Sequence, residues 1–412
     1  MATRRDFLKS SISLVPVLGG AGYLLSRYGL VPLLGSPDRA AHAATSLQEL
    51  IKAAPKARYW TTPALAGRNC AACHSASDDV QGRKHTHAPT LIKCLLCAQG
   101  CALTDGERGK CRARINAGGE MRTLVYGRPI TVHIDPIEKK PLYHFLPGSA
   151  AFSLATSGCP LRCKFCQNWE ISQCMPEDYE SPYVAPAQVA TAASSNKAPV
   201  IAFTYNEPTV FTEYLTDIAR EAKKQKVRCV LISCGFMTEA PLTEMCSVLD
   251  AIKIDLKGFS ESFYREVSSA ELKPVLRSIK QVHASGVHLE IVNLVVPTLN
   301  DSEKALRDLA AWVVGELGPD VPVHFTRFHP DYQLLNLPPT PVATLEHARS
   351  IALEKGMHYP YVGNVPDHAG NNTYCPGCKE LIIERNGFFI SQMNMKDGAC
   401  AFCRHKIAGV WL

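Results

Sequence analysis

The chain has 412 residues, 46% hydrophobic and 20% charged, close to the globular average, which excludes wholesale disorder, a collagen-like chain and a polytopic membrane protein. A net charge of +6, from 44 basic and 38 acidic residues without long runs of either sign, does not ask for nucleic acid as a partner. Seventeen cysteines are too few for a small disulfide scaffold, and thirteen of them fall into four tight groups, a clustering that points to metal and cluster ligation.

In chain order, the first element is an address. Arg4 and Arg5 precede Phe7, Leu8 and an apolar stretch over 12–25, and Ala41, His42 and Ala43 supply a small-x-small pattern. Residues 1–43 therefore read as a twin-arginine export signal, cleaved after Ala43 or retained as a membrane anchor. Either outcome puts the rest of the chain in the periplasm or on the outer face of the cytoplasmic membrane; inefficient export leaves it cytoplasmic. Residues 44–90 read as a Pro/Ala/Ser-rich linker carrying Cys70, Cys73 and His74, the CxxCH spacing that tethers haem c. A zinc or disulfide pair is the alternative there.

Residues 91–125 form a small module with Cys94, Cys97, Cys101 and Cys111 among glycines. So small a unit cannot fold on apolar burial alone, and bound metal must stabilise it. Four thiolates suit zinc or an iron–sulfur cluster, and two disulfides remain the bland alternative. Next, an apolar run leads into Cys159, Cys163 and Cys166, spaced C-x3-C-x2-C. Three thiolates can hold three irons of a [4Fe-4S] cubane and leave the fourth iron open for chemistry.

Over 126–365, strands expected at 152–156, 200–204, 228–233, 251–255, 288–296, 321–325 and 359–362 alternate with helices expected at 210–224, 274–284, 301–317 and 344–355. This is an α/β chain, a partial TIM-like (β/α)6 barrel with parallel strands under helices and its site at the strand ends. Those ends carry Asn206 and Glu207, Cys234, Asp255 and Lys257, and Asn293. Lys253 reads as an ion-pair partner of Asp255 rather than a reacting group. Over 366–412, Cys375, Cys378, Cys400 and Cys403 flank a hairpin with a turn at Asn386 and Gly387, the pattern of a structural zinc ribbon. Cys174, Cys229, Cys234 and Cys246 read as small buried side chains, Cys234 being the one to watch.

A cysteine triad after the first strand of such a barrel resembles the radical S-adenosylmethionine (SAM) enzymes, and the core resembles the pyruvate formate-lyase activating branch. More closely, residues 93–412 resemble the radical enzymes of the AmmeMemoRadiSam system. The segments that carry this likeness are Cys94 to Cys97 with Gly109, Lys110 and Cys111, then 141–148, Cys166 to Trp169, 204–208, 324–332 and 372–375. Relatives tend to have Asn where this chain has Cys234.

The resemblance implies a [4Fe-4S] cluster on Cys159, Cys163 and Cys166 whose open iron is chelated by SAM. Reductive cleavage then gives a 5′-deoxyadenosyl radical that abstracts a substrate hydrogen. Glu207 would receive the methionyl ammonium with Asn206 assisting, Asp255 and Lys257 would meet the ribose or carboxylate, and Asn293 would flank the adenine. A low-potential electron donor is a necessary partner, and the substrate is a protein or a small molecule. Two other classes stay open: an exported iron–sulfur and haem electron-transfer protein, and a metal-stapled binding protein.

Overall fold

The computed structural model of the chain describes residues 46–62 and 90–411; the export signal and the Cys70, Cys73 and His74 motif lie outside them. An eight-stranded sheet organises the rest. Its strands are β1 (Thr131–Pro136), β2 (Ala150–Ala155), β3 (Val200–Phe203), β4 (Arg228–Ser233), β5 (Ala251–Asp255), β6 (His288–Val295), β7 (Val323–Arg327) and β8 (Pro360–Gly363). Neighbours in the sheet are neighbours in sequence throughout, and all pairs are parallel except antiparallel β1 with β2. Because the order never reverses, the sheet has no topological switch point of the doubly wound kind.

A helix follows each of β2 to β7: α1 (Pro186–Ser195), α2 (Thr212–Lys224), α3 (Glu239–Val248), α4 (Leu272–Ser285), α5 (Glu303–Leu317) and α6 (Val342–Glu354). Consecutive helices pack side by side, so six βα units lay one continuous helical layer over the sheet. The strand residues alternate accordingly. Phe152, Leu154, Ile201, Phe203, Leu231, Ile252, Ile254, Ile291 and Phe325 face the helices and form the main core. The opposite face is lined by smaller residues, Ala151, Val200, Ala202, Val230 and Ala251, and is capped by Ile137, Leu142, Phe145 and Leu146.

That cap is pinned by one buried carboxylate. Glu290, in β6, accepts from the backbone N–H groups of Tyr143 (3.0 Å) and His144 (2.8 Å) and lies against His288 (3.0 Å) and His324 (2.7 Å). The C-terminal unit locks onto the same segment: Arg385 donates to Tyr143 O at 2.9 Å and sits 4.1 Å from the Tyr143 ring centre. Among the described residues, no helix is long and apolar enough to cross a membrane.

The expected strands and helices are present with end shifts of a few residues. β7 starts two residues late because Pro322 has no N–H to give to the ladder. Three elements are additions. β1 is an edge strand closed by Pro136; α1 and α3 carry prolines, Pro186 at the first helical position, where the missing N–H costs nothing. The expected linker over 44–90 is folded where it is described. Ser46 and Glu49 form a capping box that starts the helix Leu47–Ala53, and Trp60–Thr61 pairs with Ile92–Cys94.

Candidate active site

β2 runs directly into the Cys159 to Cys166 loop, at the C-terminal edge of the parallel strands where such sheets place their chemistry. The loop is fixed from two sides. Arg162 N and Lys164 N donate to Ser268 O (3.0 Å) and Val267 O (2.9 Å), and Gln333 N donates to Lys164 O (2.9 Å). Gly158 turns the chain at φ +95°, and a Cβ there would meet Cys111 O at 2.3 Å, so only glycine lets the four-cysteine module come so close.

Glu207 ends the loop after β3 and is 3% exposed, with four donors around it. Its Oε1 accepts from Thr209 N (3.1 Å), Thr209 Oγ1 (2.6 Å) and Ser233 Oγ (2.7 Å), and Oε2 accepts from Cys234 N (2.7 Å). The carboxylate is therefore oriented by the ends of β3 and β4. Position 234 contributes its backbone N–H, a contact that does not depend on its side chain. Burial, with the nearby Glu207 carboxylate, pushes the Cys159 and Cys234 thiols well above their ordinary range.

Across the site, Asp255 at the end of β5 accepts from Lys253 and, at 3.3 Å, from Lys257 Nζ; the Lys253 ion pair is as expected. Burial works against the Lys257 charge, yet Asp255, with smaller contributions from Cys163 and Cys234, holds its ammonium above the usual range. Lys257 Nζ also stands 5.6 Å from the Phe165 ring centre. Lys257 is thus a fixed cation beside the triad loop, within electrostatic reach of Cys163 and Cys166.

Two buried side-chain oxygens at these strand ends have no hydrogen-bond partner. Asn206 Nδ2 donates to Gly158 O (2.9 Å) and Asn293 Nδ2 to Leu256 O (2.8 Å), and the Oδ1 of each is left unsatisfied. Since the carbonyl neighbours fix both amide orientations, each site lacks a donor that a ligand's ammonium, hydroxyl or amine can supply. The donor set fits SAM: a fixed cation for its carboxylate, and acceptors for its polar hydrogens.

The Radical SAM superfamily pattern matches residues 153–310, a span that begins in β2, ends in α5 and contains the cysteine triad, Asn206, Glu207, Asp255, Lys257 and Asn293. An uncharacterized protein of Methanocaldococcus jannaschii is 42% identical over 318 residues, 77% of this chain and 95% of its own length. The chain belongs to that protein's family and is a radical SAM enzyme. Membership implies a [4Fe-4S] cluster and SAM. The enzyme is also related to activating enzymes. The pyruvate formate-lyase-activating enzyme of Clostridium pasteurianum is 24% identical over 165 residues, 37% of this chain and 65% of its own. The (2S)-3-sulfopropanediol sulfolyase activating enzyme of Bilophila wadsworthia is 27% identical over 94 residues, 22% of this chain and 31% of its own.

Sequence reasoning placed Ser233 among the polar strand ends without its role toward Glu207, and it missed Thr209 and the contacts of Arg162. A hydroxyl after a glutamate and a serine at a strand end are too common to single out. Only the parallel pairing of β3 with β4 makes them one set. The other two cysteine groups among the described residues lie outside the matched span. Cys375, Cys378, Cys400 and Cys403 bring their sulfurs within 4.8 Å of one another. Fifteen described cysteines, including the four of the N-terminal module, are free of disulfides.

Proposed function

We propose that the enzyme is a member of the AmmeMemoRadiSam system family in which Cys159, Cys163 and Cys166 hold the [4Fe-4S] cluster and SAM binds between the ends of β2, β3, β5 and β6. Bound there and reduced, SAM supplies a 5′-deoxyadenosyl radical that abstracts hydrogen from the substrate. Glu207, held by Thr209, Ser233 and Cys234, accepts the methionyl ammonium together with Asn206. Lys257 meets the carboxylate, Asp255 the ribose, and Asn293 offers Oδ1 to the adenine amine. The single observation that carries this reading is the pair of unsatisfied buried acceptors, Asn206 Oδ1 next to the triad loop and Asn293 Oδ1 next to the Asp255 to Lys257 strand end.

Six consecutive βα units without a strand reversal support the partial barrel, since helices on one face curl a parallel sheet. A zinc ion in the C-terminal ribbon is supported by sulfur separations of 3.5 Å (Cys375 to Cys403) and 3.7 Å (Cys378 to Cys400). Tetrahedral zinc with bonds of about 2.3 Å sets its sulfurs about 3.8 Å apart. A protein substrate is favoured by the relatives named as activating enzymes, and a low-potential donor supplies the electron. The twin-arginine pattern in residues 1–43 supports a location in the periplasm or on the outer face of the cytoplasmic membrane, with the cofactor built in before export, and inefficient export would leave the enzyme cytoplasmic.

Adding SAM to anaerobically reconstituted, reduced protein should shift the cluster's electron paramagnetic resonance (EPR) signal. Glu207→Gln puts an amide NH2 against the Cys234 N–H or the Thr209 and Ser233 donors, losing both charge and aim. The SAM affinity should fall about 10- to 100-fold with cluster iron unchanged, as loss of a charge-assisted bond worth about 1.5–3 kcal/mol requires. Unchanged affinity would place the ammonium elsewhere.

A further inference from the structure

The four-cysteine module is not a remote appendage. Gln99 Nε2 donates to Pro160 O (3.0 Å) and Ser269 O (3.1 Å), Arg162 donates to Lys110 O, and Cys111 O packs on Gly158. Cys97 bridges to Met237, and Ala98 N donates to Phe236 O (3.4 Å). Cys111 and Cys163 belong to one continuous core. Arg162 Nη1 donates to Cys159 O (2.8 Å) and its Nη2 to Lys110 O, so one guanidinium bridges the triad loop and the module.

Within the module, the four thiols gather around a short antiparallel turn. Cys94 N donates to Cys101 O (2.8 Å), Gly100 N to Cys97 O (3.1 Å), and Lys110 N to Cys101 Sγ (3.4 Å). A Cβ at Gly109 would lie 3.5 Å from Cys111 Sγ and 3.9 Å from Cys101 Sγ. Cys97 interacts with the other three thiols. The set is mutual and closed, yet it is spread. Among the described residues, the ribbon cysteines are the one set of three or more ligating groups whose atoms all lie within 4.8 Å.

The enzyme therefore carries its own yardstick. Four sulfurs on a single tetrahedral ion must converge, as those of the ribbon do. In a cubane each thiolate binds a different iron and the sulfurs stay apart. The triad is of the spread kind, and so is the N-terminal set. We propose that Cys94, Cys97, Cys101 and Cys111 hold a second iron–sulfur cluster, and not zinc, packed against the Cys159 to Cys166 loop with Arg162 between them. This rests on the triad being read as a cubane. With four protein ligands the second cluster has no open iron, so it stores an electron rather than binding SAM. One electron enters from a low-potential donor protein and one leaves to the triad's cluster, with no bond made or broken.

The test uses the full chain, reconstituted anaerobically with iron and sulfide in the presence of zinc. About eight irons and about one zinc per chain are expected. The triple variant Cys159→Ala, Cys163→Ala, Cys166→Ala should keep about half of the iron and a reduced EPR signal that SAM does not alter. About four irons and about two zincs in the unmodified chain would overturn the proposal, and this count stands even where the triple variant fails to fold. So would a folded triple variant without cluster iron. Were the triple variant to keep all the iron and the pair Cys101→Ala, Cys111→Ala to lose it, the second site would stand and the reading of the triad would fall.

Discussion

Gly158 decides how closely the N-terminal module and the triad loop approach. Adding one methyl drives it into Cys111 O at 2.3 Å, in a backbone conformation at φ +95° that other residues avoid. Gly158→Ala should cost about 2–3 kcal/mol and loosen the triad, read as a lower denaturation midpoint with less iron retained after desalting. Gly286, at φ +78° with nothing within 4 Å of a Cβ, is the control. Gly286→Ala carries only the left-handed backbone cost of about 1 kcal/mol and should leave the iron alone. Equal losses in the two variants would show that contact with Cys111 is not what matters. Residues that donate to a ligand-facing group in another strand, such as Ser233 toward Glu207, were not legible in sequence because their role exists only through strand pairing. Asn206, Glu207 and Asn293 stood out in sequence as polar side chains at the ends of apolar strands, and the structure has them at those ends.

At the scale of elements, β3 to β6 were readable as short apolar runs and α2, α4, α5 and α6 as longer amphipathic ones. α1 is built from alanine and serine after a proline, with little apolar contrast to mark a face, and α3 begins Glu-Ala-Pro; both look like loops until the flanking strands demand a crossover. The helix Leu47–Ala53 was hidden by its surroundings, although its cap and the buried Leu50 mark it. The C-terminal hairpin was legible down to its turn: Asn386 pairs with Phe389 around Gly387 at φ +60°. Cys378→Ser should remove the zinc and loosen residues 373–411, raising their hydrogen exchange, while cluster iron stays in place. Loss of cluster iron with the zinc retained would make the ribbon an iron–sulfur site.

Across the whole molecule, stability depends on a few buried charges that tie the parts together. Arg114, fully buried, pairs with Glu213 of α2 and donates to Arg58 O (2.7 Å), binding the N-terminal module to the helical layer. The cap beneath the sheet depends on Glu290 and His144. Burial pushes His144 down to about 3, while its ring nitrogens meet Ala408 O and Tyr361 Oη at 2.6 Å each. Between its unfolded value of about 6.5 and the folded value, the unfolded chain takes up a proton that the folded chain refuses. Stability therefore falls as pH drops below about 6.5, by up to about 1.4 kcal/mol per pH unit from this residue. Glu290, held well below the usual carboxylate range by His288 and His324 despite its burial, adds to the loss below about pH 4.3. Urea unfolding at pH 7 and pH 5 should show this slope, reduced in His144→Gln; an equal slope in both would assign the acid sensitivity elsewhere.

The account's central claim is that the thiols of Cys159, Cys163 and Cys166 carry the cluster that cleaves SAM. Anaerobic protein given a strong reductant and SAM should release 5′-deoxyadenosine and methionine in equal amounts, and Cys163→Ala, which leaves two thiolates for the cubane, should release neither. The same yield of 5′-deoxyadenosine from the Cys163→Ala protein would contradict it.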